Sequence, residues 1–309
     1  MAELLYQRDI YGKTLVELGK ENKDIVVLDA DLSSSTRTGL FAKEFPERFF
    51  NFGVAEQNMM ACAAGLASCG KIVFTSTFAI FATGRAWDQV RNTVSYNNFN
   101  IKIVASHAGI TVGPDGASHQ ALEDIALMRV IPNMNIVVPC DAPQVREAVI
   151  ACANTPGPFY IRLGRTKIPT VENKGEFKLG IAQVITEGND LSIIACGIMV
   201  EKALVAAKNL LEKNIKARVI NIHTIKPIDK EVVLKAAKET HGIIVCEEHQ
   251  VVGGLASAID EIVAENSPVK VMRIGIKSRY GQSGEPDELL KEYQLEAEDI
   301  EKASLSILK

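Results

Sequence analysis

Short β-branched runs alternate with stretches whose apolar residues recur at helical spacing. That alternation predicts layered α/β architecture on largely parallel sheets. In the first part, strands are expected at 24–30, 71–75, 101–105, 135–139 and 158–163. Helices are expected at 55–69, 79–96, with Trp87 and Val90 on one face, and 142–153. Periodicity lapses from about residue 166, where Pro, Gly and charged residues mix, and the pattern reads as a linker. A second block follows, with strands near 191–196, 217–222, 242–246 and 269–275 and helices near 198–213, 228–239 and 253–265. The expected division is a first domain at 1–168, a linker at 169–186 and a second domain at 187–309, each a doubly wound open sheet binding ligands beyond the carboxyl ends of its strands.

The 309 residues suit two domains at roughly 100–200 residues each. With 47% hydrophobic and 23% charged residues, disordered and fibrous classes are excluded. A net charge of −4 without a basic run lacks the electrostatic footprint of a nucleic-acid binder. No apolar stretch reaches the roughly 18 residues of a membrane span, and the first residues, MAELLYQRDIYGK, lack the apolar core of a secretion signal. A cytoplasmic location without nucleic-acid or membrane partners is expected. Six cysteines, none at metal-ligand spacing, read as reduced core residues.

Four segments place polar or aromatic groups where predicted strands end: DADLSSST (29–36), GVAEQNM (53–59), TSTFAIF (75–81) and SHAGITVGPDGASHQ (106–120). Glu56 lies near the start of a predicted helix whose residues from Met59 to Ala64 are almost entirely apolar. It is either a carboxylate favoured at a helix N-terminus or a buried acid with a tuned proton affinity. Phe78 and Phe81, three apart, either fill the core or offer two rings to a ligand. His107, Asp115 and His119 share a glycine-rich loop too polar to be core, which suits polyol or phosphate binding, the alternative being a solvated loop with a satisfied histidine. Arg8, Arg37, Arg162 and Arg165 are candidate anion ligands or ordinary surface residues.

Taken in order, these segments closely resemble the C-terminal half of transketolase. FNFGVAEQNM, TSTFAIFATGRAWDQVR, SHAGITVGPDGASHQALEDIALMR, PNMNIVVPCDA, YIRLGR, IHTIKPID, EEHQVVGGLASAI and YGQSGEPDELL add to DADLSSST in register. The resemblance implies a thiamine diphosphate pyrimidine-binding domain followed by a transketolase C-terminal domain. It implies that Glu56 hydrogen-bonds the aminopyrimidine ring nitrogen, driving the exocyclic amine to the imino form that takes the thiazolium proton. Phe78 and Phe81 would pack on the aminopyrimidine, and Asp31 would lie beside the cofactor. His107, Asp115 and His119 would contact sugar hydroxyls, and Arg8, Ser35 and Arg165 would grip the terminal phosphate. One departure is Gly84, which stands where some family members carry an aromatic. That contact is absent or supplied by Trp87.

Family members also carry a GDG motif that holds Mg2+ and the diphosphate, and none occurs in these residues. The resemblance therefore implies half an enzyme: a transketolase N-terminal subunit would bring the metal, and paired halves would form a heterotetramer. The implied reaction moves a two-carbon ketol unit from a ketose phosphate such as xylulose 5-phosphate to an aldose phosphate such as ribose 5-phosphate. The alternatives are a two-oxo-acid dehydrogenase beta subunit, a split 1-deoxyxylulose-5-phosphate synthase and a non-catalytic protein that kept the fold. The resemblance implies assembly rather than chemistry for the second domain and places the tempting cluster of His223, Glu247, Glu248 and His249 away from the reacting carbon, with the EEHQVVGG turn capping the following helix and Gly253 and Gly254 allowing a close approach to a neighbour.

Overall fold

The computed structural model describes residues 3–172 and 174–309, so position 173 of the expected linker and the first two positions of the expected first domain lie outside the described residues. In chain order the strands are β1 (Leu4–Tyr6), β2 (Ile25–Asp29), β3 (Phe49–Asn51), β4 (Ile72–Phe78), β5 (Ile101–Ser106), β6 (Asn135–Val137) and β7 (Phe159–Arg162). They continue with β8 (Lys167–Pro169), β9 (Gln183–Thr186), β10 (Leu191–Ala195), β11 (Ala217–Asn221), β12 (Thr224–Lys226), β13 (Ile243–Gln250) and β14 (Val271–Ile276).

The first sheet has the order β12-β6-β7-β5-β4-β2-β3, parallel except where β12 pairs antiparallel with β6. The second runs β14-β13-β10-β11-β9, with β9 antiparallel at its edge. Central strands such as β2 (IVVLD) and β10 (LSIIA) are buried at every position, because helices cover both faces of a parallel sheet and the sequence becomes a continuous apolar run. Layers of apolar side chains lie on the two faces of the first sheet, one holding Tyr11, Phe41 and Phe74 and the other Met59, Val90 and Ile103. The second layer continues into Ile220, Val245 and Leu255, so one apolar cluster spans the two sheets.

Two segments differ from the sequence pattern. The stretch expected as a linker contributes β8, which pairs with β1, and β9, which closes the edge of the second sheet. The expected helix over 79–96 is instead a short helical turn at Trp87–Gln89 flanked by wide π-helical turns at Phe81–Arg85 and Val90–Ser95. Such widened turns displace the side chains that follow, and they recur at functional sites. Of the six cysteines, four are buried, but Cys62 is only half-buried and Cys69 is exposed. These two lie on the outer face and at the end of the helix Glu56–Ser68, away from its core-facing stripe of Met59, Met60, Ala63 and Ala64.

Candidate active site

The parallel pairing brings the carboxyl ends of five strands to one edge of the first sheet. Asp29 registers with Asn51 and Ser76, Phe78 with Ser106, and Ala105 with Arg162. Those ends and the segments that leave them carry Asp31, Glu56, Phe78, His107 and Arg165, at the crevice where open α/β sheets bind ligands.

Glu56 is the first residue of its helix, and its side chain is 1% exposed. It sits at a helix N-terminus, a position that favours acidic side chains, and it is buried there. Its hydrogen-bond partner is Arg85, whose Nη1 donates to Oε1 at 2.8 Å and Oε2 at 3.0 Å. The guanidinium of Arg85 also lies 4.4 Å over the Phe81 ring and is 47% exposed. The wide turn at Phe81–Arg85 is what aims it back at Glu56.

Phe78 and Phe81 are stacked, with centroids 6.0 Å apart and planes inclined by 15°. The His107 ring lies on Phe78 at 3.8 Å and 19°, while His119 stands edge-on to Phe81 at 5.5 Å and to Phe78 at 6.3 Å. His107 is buried, and Ser106 Oγ meets its Nδ1 at 2.9 Å. Burial, reinforced by the nearby Arg8 and Arg165 cations, lowers its pKa to about 3, so its imidazole is neutral at physiological pH. His119 is half-buried, and its Nδ1 lies 3.0 Å from Ser118 Oγ.

Arg8 and Arg165, whose charges act on His107, line a cavity of about 390 Å³ together with Tyr6, Pro114, Thr166, Lys167, Glu285 and Pro286. Burial and the neighbouring Arg37 cation lower the proton affinity of Arg8, and Arg165 acts in the same direction. Arg8 Nη1 donates to the Ser35 carbonyl at 3.3 Å, while its buried Nε has no partner. Arg165 donates through Nη1 to the Val112 carbonyl and lies 3.7 Å from Asp115. Converging cations with an unmatched buried donor are suited to an anion. The loop bearing Ser35 is held by buried Asp29, which accepts from Thr36 Oγ1 and Thr38 Oγ1 at 2.8 Å and from Leu32 N at 2.6 Å. Asp31 is exposed and exchanges hydrogen bonds with Asn51.

The family described as the transketolase pyrimidine binding domain matches residues 5–170, and that described as the transketolase C-terminal domain matches residues 180–300. The chain belongs to the transketolase family. It is 50% identical, over 97% of its own length and 95% of the other, to a protein of Methanocaldococcus jannaschii provisionally named a transketolase C-terminal section. It is 41% identical, over 96% and 92%, to a 6-deoxy-6-sulfo-D-fructose transketolase subunit of a Clostridium species. Among solved structures, a split gene transketolase described as an inactive beta4 tetramer superposes with a TM-score of 0.92 at 50% identity, covering 98% of each chain.

Within this transketolase frame, sequence reading located the carboxylate, the rings and the loop histidines, and the structure gathers them. A contiguous chain runs Glu56–Arg85–Phe81–Phe78–His107. Gly84 is exposed, and a Cβ built there meets nothing within 4 Å. Trp87 does not take that place, because its Nε1 donates to the Leu127 carbonyl at 2.9 Å and the ring packs on the core. Arg37 is paired with Asp9. Arg162 is buried in a salt bridge with Asp124, with Nε 2.7 Å from Oδ2, and is a core residue rather than an anion ligand. Sequence reasoning missed Arg85, whose only local signal is a cation four residues beyond Phe81. The cluster at 247–249 behaves in part as expected: Glu247 accepts from Leu255 N at 2.7 Å and Ala256 N at 2.9 Å, capping the helix Leu255–Asn266, and a Cβ at Gly254 would come within 2.0 Å of its carboxylate.

Proposed function

We propose that this chain is the C-terminal subunit of a two-chain, thiamine diphosphate-dependent transketolase that transfers a two-carbon ketol unit from a ketose phosphate to an aldose phosphate. The observation that carries the reading is the contiguous run from a buried carboxylate through a stacked ring pair to a neutral histidine, with an arginine-lined cavity whose cations act on that histidine. The donor set fits the cofactor. Glu56 is a buried acid whose protein partner is a half-exposed arginine that a ligand can displace, and Phe78 and Phe81 offer flat faces to a flat heterocycle. When bound, thiamine diphosphate supplies the electron sink for carbon–carbon cleavage.

Glu56, buried at a helix start, would hold the aminopyrimidine ring nitrogen by a shared proton, out of water. Arg85, which holds the carboxylate here, would give way to the ring nitrogen. The phenylalanine rings orient the heterocycle, and Asp31 lies beside it. His107, neutral by burial, donates or accepts a hydrogen bond with a substrate hydroxyl without carrying a charge into the site. Asp115 and His119, at the loop's open side, select hydroxyl stereochemistry and steady the acceptor. Arg8 and Arg165, with Ser35, hold the terminal anion through planar forks. A separate transketolase N-terminal subunit brings Mg2+ and the diphosphate grip, in a cytoplasmic heterotetramer with the division at about 168–187.

A beta subunit of a two-oxo-acid dehydrogenase would not need the arginine-lined cavity. The test is an assay of this chain mixed with a GDG-containing partner, using xylulose 5-phosphate plus ribose 5-phosphate, glyceraldehyde 3-phosphate plus pyruvate, and pyruvate with an electron acceptor. Turnover of the first pair, absent from either chain alone, is the expected result. Turnover only where pyruvate is present overturns the proposal.

A further inference from the structure

The loop 107–120 contains three glycines with positive φ, Gly109 at 85°, Gly113 at 77° and Gly116 at 76°. A segment of this composition has wide conformational freedom in isolation. Its bonds to the C-terminal domain are few and specific. The Thr111 N–H donates to Glu248 Oε1 at 2.7 Å, in a fully buried setting, across 137 residues of sequence. A Cβ at Gly109 would stand 2.2 Å from the Glu248 carboxyl carbon, so the loop closes on this carboxylate as tightly as a backbone can. The Thr111 hydroxyl, otherwise without a partner, lies beside the same group. Gln120 Nε2 adds a second tie, donating to the Gln282 carbonyl of the C-terminal domain at 2.9 Å and to the Ile110 carbonyl within the loop at 3.2 Å. Glu248 is itself fixed, since its backbone carbonyl accepts from Arg162 Nη2 at 2.9 Å.

We infer that Glu248 is a positioning residue of the active site: from the C-terminal domain its carboxylate holds the 107–120 loop in the conformation that sets His107 and His119 against Phe78 and Phe81. This rests on the transketolase reading for its catalytic meaning, although the anchoring itself does not. Glu248 touches neither cofactor nor substrate. Its effect passes through the Thr111 backbone to the histidines on either side, a route that gives the C-terminal domain a part in substrate binding. Arg162 keeps Asp124 as partner when Glu248 is removed, with contacts at 2.7 and 3.2 Å, so no buried charge is left alone.

Hydrogen–deuterium exchange on the full chain tests the anchor directly. In Glu248→Ala the amides of 107–120 should exchange about tenfold faster or more, with β4, β5 and β10 unchanged. Glu248→Gln keeps an acceptor oxygen for Thr111 N–H and an amide for its hydroxyl, and should restore protection to within about twofold of wild type. In the two-chain enzyme, Glu248→Ala should raise KM for the ketose phosphate about tenfold at unchanged thiamine diphosphate affinity, and Gln should rescue it. Wild-type loop protection in folded Glu248→Ala, or a Gln variant as open as Ala, overturns the inference. If the Ala variant does not fold, the wild-type Thr111 amide decides: protection comparable to β5 supports the anchor, and exchange at the unprotected rate refutes it. Because exchange needs no turnover, a loosened loop in a chain that never processes sugar phosphates would sink the transketolase reading and leave the anchor standing.

Discussion

Glu56 and Asp124 are both buried carboxylates paired with arginine, yet they are built for different ends. Asp124 is wholly buried. It takes Arg162 through Nε at 2.7 Å and Nη2 at 3.2 Å and also accepts from Tyr160 Oη at 2.6 Å, so the arginine holds its proton affinity low against the cost of burial. Glu56 is as deeply buried, but Arg85 reaches it from solvent with a half-exposed guanidinium. A partner with its own access to water leaves at modest cost, whereas a fully desolvated one does not. One pair is fully desolvated and ties the strand β7 to the start of the helix Asp124–Arg129; the other keeps a partner with access to water.

The comparison is broken most sharply at Glu56. Glu56→Ala should lower turnover of the two-chain enzyme about 10²–10⁴-fold, with the thermal midpoint of the chain scarcely moved. A large loss of stability instead would make Glu56 a structural acid like Asp124. The converse change, Asp124→Asn or Asp124→Ala, strands Arg162 in the interior and should cost about 3–5 kcal/mol of stability, read by denaturant unfolding. Arg8→Ala should raise KM for phosphorylated substrates by roughly 10–100-fold, as expected when a charge-assisted contact is lost, while leaving thiamine diphosphate affinity alone. Equal KM values with and without the substrate phosphate would remove Arg8 from the anion site.

The smallest effect is on pH dependence. Burial lowers the pKa of His107 to about 3 and of His223 to about 4, against about 6.5 in an unfolded chain. Below about pH 6.5 the unfolded state binds protons that the native state refuses, so their contribution is intact above that pH and is lost as pH falls toward 3–4. Thermal melts between pH 7 and pH 5 should show a falling midpoint, and His223→Asn should make the fall shallower. An identical slope in that variant would contradict the assigned shift.

Much of the site was legible because function in this fold sits where strands end. The strand runs are long, apolar and buried on both faces, and the polar residues that interrupt them stand out against that background. The short edge strands β8, β9 and β12 carried no such signal. Three or four residues with one buried face cannot be told from a linker by periodicity, and they pair only because a segment distant in sequence supplies an edge. Lone residues that act through distance were equally silent. Arg85 is aimed by a π-helical turn that its sequence does not announce, and Glu248 finds Thr111 across 137 residues. The exposed side of Cys62 and Cys69 was hidden for a related reason, since a helix whose residues from Met59 to Ala67 are all apolar or small does not declare which stripe faces the core.

The central claim, that Glu56 is the acid that activates the cofactor, is tested most directly by the rate at which the thiazolium C2 hydrogen of thiamine diphosphate exchanges with solvent deuterium in the assembled two-chain enzyme. Wild type should exchange it about 10²–10⁴-fold faster than Glu56→Gln at equal cofactor occupancy. Equal exchange rates in the two proteins would contradict the account.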